Sequence, residues 1–115
     1  MKLEGKSKKH EGMRLIDYYM ESAFHSDIEL VSYWGPEQMC CFEMNYLHIP
    51  TGYRIKFDCE RGIFVVFVFN EAGQRFDPGQ FYPEEHYYHF ADRADDIERL
   101  VKLTHKAITE NEIKF

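Results

Sequence analysis

The chain has 115 residues, 44% hydrophobic and 17% aromatic, with a formal net charge of −6 at pH 7. This length and apolarity fit one domain with a buried core and exclude a disordered protein. The longest apolar run, Ile63 to Phe69, is too short to cross a bilayer, and residues 1–12 lack the apolar segment of a signal peptide. We therefore expect a soluble cytoplasmic protein with no membrane contact, and three cysteines, two of them adjacent, favour a reduced compartment.

Charge is distributed unevenly along the chain. Residues 1–12 carry four lysines against two glutamates, whereas Leu15 to Tyr53 contains six acids and no Lys or Arg. From Asp77 to Glu98, seven acids accompany a single base, Arg93. Clustered acids repel phosphate backbones and attract basic proteins, so we expect a basic protein partner and no nucleic acid.

The N-terminal sequence predicts a flexible tail that is followed by an amphipathic helix. Residues 1–12 are expected to be a flexible basic tail, and residues 13–115 a single domain. Apolar residues recur at helical spacing and predict an amphipathic helix over about 12–25, ended by His25-Ser26-Asp27. Its stripe consists of Met13, Ile16, Met20, Ala23 and Phe24.

A series of strands follows the first helix. Alternation or a continuous apolar run predicts strands at Ile28–Trp34, Cys40–Tyr46, Tyr53–Glu60 and Ile63–Phe69, with a short fifth candidate at Gln74–Asp77. The third strand turns Cys59 toward the core. The fourth is apolar on both faces, which is typical of a central strand covered on both sides. Arg61-Gly62 between these two strands predicts a tight hairpin turn.

The C-terminal segment predicts a second amphipathic helix. Asp92 is the expected cap, with Asp95 and Asp96 in the first turn at the positive end of the helix dipole. One stripe is apolar and consists of Ile97, Leu100, Val101, Thr104, Ala107 and Ile108. The predicted fold is α+β, a single domain with an antiparallel sheet of four to five strands and an N-terminal and a C-terminal helix packed on it.

Candidate chemistry is sparse. His86 and His89 are three residues apart, and on a helix both would face one side, where Glu85 or Asp92 could join them around a metal. No second ligand motif occurs elsewhere in the sequence, so we expect no metal and no cofactor. Cys59 lies on an apolar strand face, unlike a reactive thiolate, and the sequence contains no glycine-rich phosphate loop. We therefore expect a protein that is not an enzyme.

The segment from Tyr82 to Asp96 favours recognition of another protein. Aromatic side chains supply contact area at interfaces, and carboxylates orient and select a partner. The predicted partner-binding residues are Glu84, Glu85, His86, Tyr87, Tyr88 and Asp92.

Two features resemble a known family. The strand–turn–strand around Glu60-Arg61-Gly62, followed by the helix DDIERLVKLTHKAI, is similar to immunity proteins of bacterial polymorphic-toxin and contact-dependent inhibition systems. The resemblance covers roughly residues 53–108 and assigns no binding residue. It implies a non-enzymatic inhibitor that binds a cognate toxin, in one form a basic nuclease, and occludes its active site. Two alternatives stay open: a small metal- or ligand-binding enzyme using His86 and His89, and an adaptor or phage-encoded inhibitor.

Overall fold

The computed structural model describes residues 1–35, 41–78 and 93–115, together with the backbone of residues 89–90. The helices of the described residues are α1 (Gly5–Lys9), α2 (Glu11–Phe24) and α3 (Ala94–Thr109), and a 3-10 turn at His25–Asp27 follows α2. The strands are β1 (Ile28–Trp34), β2 (Phe42–His48), β3 (Tyr53–Glu60), β4 (Ile63–Phe69), β5 (Arg75–Phe76) and β6 (His89–Phe90).

The strands of the described residues all belong to one antiparallel sheet. Strands β1 to β5 are neighbours in chain order, and β6 also pairs with β4. The short strands share the same edge of β4, with β5 beside Val68 and Phe69 and β6 beside Ile63 and Phe64. With the N-terminal and C-terminal helices, this sheet confirms the predicted α+β fold and its single domain.

Helices α2 and α3 pack against each other and against one face of the sheet, which we call the inner face. Both predicted helical stripes are buried apart from Ala23, which is half-buried against the core. The sheet contributes buried side chains from Leu30, Phe42, Met44, Tyr46, Ile55, Phe57, Cys59, Phe64, Val66 and Val68. Burial of each large apolar side chain contributes about 1.5–3 kcal/mol, so this two-layer core supplies most of the drive to fold.

The β3–β4 hairpin matches its prediction closely. Inward residues of β3 alternate with outward ones as expected, and Cys59 is 2% exposed. The turn residues Arg61 and Gly62 have φ values of 55° and 83°. Two successive left-handed residues match the twist of the flanking strands, as a two-residue hairpin requires.

Strand β1 departs from the predicted alternation. The register shifts between Leu30 and Ser32, so Val31 is an extra residue in the ladder. A bulge of this kind reverses which side chains face the core. Leu30 is buried and Tyr33 packs on the core, but Trp34, which strict alternation would place on the same face as Leu30, is 61% exposed.

Strand β4 has only one fully buried face, and the prediction that both are covered is wrong. Phe64, Val66 and Val68 are fully buried, whereas the side chains between them are not, and Val65 is 42% exposed. The cause is the arrangement of layers, because α2 and α3 both cover the inner face.

Both termini differ in detail from expectation. Within residues 1–12 the structure contains α1, and Leu3 packs against the core, while the flexibility of this segment stays a prediction. Helix α3 begins at Ala94, which places the N-cap at Arg93, one residue later than predicted. Asp92 lies outside the described residues. No helix in the described parts of the chain has the length and apolarity needed to cross a membrane.

Candidate partner-binding surface

The partner-binding residues predicted from sequence lie outside the described residues. This applies to all six, Glu84, Glu85, His86, Tyr87, Tyr88 and Asp92, so their role stays a prediction. The backbone of His89 pairs with Phe64 in β4, and the described chain before this segment ends at Pro78, just after β5. Strand β5, which precedes this segment, and the backbone of His89 within it therefore lie along the same edge of β4.

The base-free stretch from Leu15 to Tyr53 is described except for residues 36–40, and its acids occupy two different settings. Glu43 faces outward on β2 and forms an ion pair of 2.7 Å with Lys56. The hydrogen bond from Lys56 lowers the pKa of Glu43. By contrast, Glu21 and Asp27 are exposed and form no ion pair within the described residues. They are available to a basic partner.

Asp17 is fixed in place by the sheet beneath it. The Tyr46 hydroxyl donates a hydrogen bond of 2.8 Å to Asp17 Oδ1. Burial raises the pKa of Tyr46 well above its ordinary value, and the negative charges of Asp17 and Glu21 raise it further. The phenol therefore remains a proton donor, and α2 is held in one position over β2.

Asp27 lies beside a second buried polar group on β2. His48 is buried, with Nδ1 2.7 Å from Thr51 Oγ1. Burial lowers the pKa of His48, the carboxylate of Asp27 opposes that shift, and His105 adds to it. Tyr46 and His48 are two residues apart on β2. Asp17 and Glu21 on α2 lie beside Tyr46, and Asp27 in the following turn lies beside His48, so the three acids form a row. We call Asp17, Glu21 and Asp27 the acidic edge.

On its other side, α2 borders a groove shared with α3. The groove encloses about 350 Å³ and is lined by Tyr18, Tyr19, Ser22, Ala23, Glu98, Val101, Lys102 and His105. The rings of Tyr18 and Tyr19 meet edge to face with centroids 5.2 Å apart, and Tyr18 is 60% exposed. Burial, followed by the charge of Glu98, raises the pKa of Tyr19. Glu98 also pairs with Lys102 at 2.6 Å.

The acidic edge and the groove adjoin on the outward side of α2. Tyr18 is the exposed aromatic between them, and Glu21 follows it by one helical turn. An exposed tyrosine beside Glu21, a carboxylate that forms no ion pair within the described residues, has the composition of a protein-recognition surface. Sequence reasoning did not single out Tyr18. Its position off the apolar stripe of α2 was the signal, since an aromatic there cannot reach the core.

Metal and nucleophile chemistry receive no support from the described residues. No group of three or more His, Cys, Asp or Glu side chains there is placed to hold a metal ion. The histidine pair falls outside this test, because His86 is not described and only the backbone of His89 is. Cys59 is in the core, and Cys41 is half-buried.

Comparison with known proteins adds no assignment. No family model, no curated protein and no solved structure matches the chain.

Proposed function

We propose that the protein is a non-enzymatic inhibitor that binds a basic partner protein through the outward side of α2. The most specific version of this proposal is an immunity protein that occludes the active site of a cognate toxin. The observation that carries the proposal is the acidic edge, where the exposed carboxylates of Glu21 and Asp27 have no cationic partner in the described structure and Glu21 lies one helical turn from the exposed Tyr18.

The proposed mechanism is occlusion by charge and shape. Lys and Arg side chains around a toxin's cleft pair with Glu21 and Asp27 as they would with substrate phosphates or carboxylates. Tyr18 packs against the rim and excludes water, which strengthens the neighbouring ion pairs. The hydrogen bond from Tyr46 to Asp17 keeps α2 rigid, so little conformational entropy is lost on binding. The predicted contacts at Glu84, Glu85, His86, Tyr87, Tyr88 and Asp92 stay a separate proposal for binding the same partner.

Coexpression tests this function directly. The product of the adjacent gene is expressed in a sensitive bacterial host, alone and together with this protein, and growth is measured. We expect growth arrest without the protein and recovery with it. Glu21→Lys/Asp27→Lys should abolish recovery, because it places two bases opposite a basic cleft.

The matched control is Glu4→Lys/Glu112→Lys. It makes the same charge change at exposed positions on other elements and should protect like the wild type. A toxic neighbour that the wild-type protein fails to neutralise argues against the immunity role. Full protection by the Glu21/Asp27 variant places the interface elsewhere, with the undescribed segment at Glu84 and Glu85 as the next candidate.

A further inference from the structure

The outer face of the sheet, opposite α2 and α3, carries two parallel rows of side chains on neighbouring strands. On β4 the outward residues are Ile63, Val65, Phe67 and Phe69, which form an apolar row. On β3 they are Arg54, Lys56, Asp58 and Glu60, two positive charges followed by two negative ones. The strands pair in register, with Lys56 opposite Phe67 and Asp58 opposite Val65.

Both rows have the same midpoint. The charged row changes sign between Lys56 and Asp58, and its centre is therefore at Phe57. The apolar row is centred between Val65 and Phe67, at Val66. Phe57 and Val66 are themselves cross-strand partners, so one line across the sheet bisects both rows.

A twofold axis parallel to that line, running just above the outer face, makes the face complementary to itself. It places a second sheet opposite the first with its strands reversed, so that β3 faces β3 and β4 faces β4. Arg54 then faces Glu60 of the second copy, and Lys56 faces its Asp58. The apolar rows face each other, Val65 against Phe67. Isologous interfaces of cyclic dimers are built in this way, each contact occurring twice.

We propose that the outer face of the sheet binds a second copy of this chain and forms an antiparallel, twofold-symmetric dimer. The proposal does not rest on the inhibitor function, because the acidic edge is on the helical layer and remains accessible in both copies. Stacked sheets lie about 10 Å apart, a distance that a Lys and an Asp side chain together can bridge, and their strands cross at about 30°. The pairs nearest the axis, Lys56 with Asp58 and Val65 with Phe67, tolerate that crossing angle best.

Two existing contacts must be accommodated in the dimer. Lys56 already pairs with Glu43, and an ammonium group with three donors can bind both carboxylates. The guanidinium of Arg75 lies 4.8 Å from the centroid of the Phe67 ring, an exposed cation–π contact that is weak enough to be displaced.

The face is of modest size, which sets the expected affinity. Four strands of seven to eight residues present about 500 Å² per copy, or about 1,000 Å² in total. This is at the lower limit for specific interfaces. We therefore expect a reversible dimer, well populated at roughly 100 µM and depleted at roughly 1 µM.

Charge reversal at the ends of the row provides the test. Arg54 and Glu60 are exposed and form no ion pair within the described residues, so either can be changed with little effect on the fold. Arg54→Glu places acid opposite acid in its own dimer, and Glu60→Arg places base opposite base. In a mixture of the two variants, every end pair is again complementary.

Sedimentation velocity from about 1 to 300 µM measures the outcome. We expect the wild type to shift from 13.8 kDa toward twice that mass as concentration rises, each single variant to stay monomeric, and the equimolar mixture to recover the dimer. Lys114→Glu and Glu112→Arg, matched charge changes in the C-terminal segment, should dimerise like the wild type. A wild type that stays monomeric throughout overturns the proposal. So do single variants that dimerise equally well, or a mixture that fails to associate.

Discussion

The hydrogen bond between Tyr46 and Asp17 links the helical layer to the sheet. Tyr46 is completely buried, and its hydroxyl reaches Asp17 Oδ1 at 2.8 Å. Tyr46→Phe removes the donor and leaves the ring in place. Asp17→Ala removes the acceptor and leaves a buried hydroxyl without its partner.

The magnitude follows from the setting of the two groups. A hydrogen bond to a charged group contributes about 1.5–3 kcal/mol, and the half-exposed position of Asp17 reduces that to about 1–2 kcal/mol. We expect Tyr46→Phe to lower the free energy of unfolding by about 1–2 kcal/mol. Asp17→Ala should lower it by about 1–3 kcal/mol, because the orphaned hydroxyl loses both its partner and water. For 115 residues, each kcal/mol corresponds to about 4 °C in Tm.

A double-mutant cycle isolates the interaction. The two single variants and the double variant are unfolded in urea and followed by far-UV circular dichroism, since Trp34 is too exposed to be a good fluorescence probe of the core. The double variant should be less destabilised than the sum of the singles by about 1–2 kcal/mol. Tyr18→Phe, which removes an exposed hydroxyl, is the control and should change stability by less than about 0.5 kcal/mol. Additivity within about 0.3 kcal/mol would refute the assigned bond.

Three further predictions concern the sheet. Burial lowers the pKa of His48 in the folded protein, so below the ordinary value of about 6.5 the unfolded chain binds more protons than the folded one, and the free energy of unfolding should fall as pH drops below about 6.5. His48→Gln removes this titration and should flatten the plot of stability against pH in that range. An equal slope in both proteins would be the contrary result. Gly62→Ala should cost about 1 kcal/mol or more in thermal unfolding, because alanine is strained at a φ of 83°, and an unchanged Tm would contradict the turn geometry. Cys59 should react with a thiol reagent only on the timescale of unfolding, and rapid modification of the native protein, located by peptide mapping, would contradict its place in the core.

Elements defined by a regular period could be predicted from the sequence. The apolar stripes of α2 and α3 and the alternation in β3 each reflect one buried face, so period alone identifies them. The tight turn at Arg61-Gly62 could also be predicted, because Gly62 adopts a left-handed backbone conformation at little steric cost.

Features that depend on the third dimension could not be predicted. The bulge at Val31 inserts one residue in β1, and no local pattern marks it. The apolar outward side of β4 indicates a covered strand, but sequence does not say which layer covers it, and both helices lie on the other face. In the sequence, the acidic edge shows only as a stretch without Lys or Arg. That its carboxylates form a row becomes evident only in the structure, where Tyr46 and His48 lie beside them on β2.

Comparative capture from a lysate shows whether the outward side of α2 binds a basic protein. Wild-type protein, the Glu21→Lys/Asp27→Lys variant and the Glu4→Lys/Glu112→Lys control are immobilised separately and exposed to the same native lysate, and bound proteins are measured by quantitative mass spectrometry. We expect a basic protein to be enriched on the wild type and the control and lost from the Glu21/Asp27 variant. The same proteins captured equally by all three would contradict it.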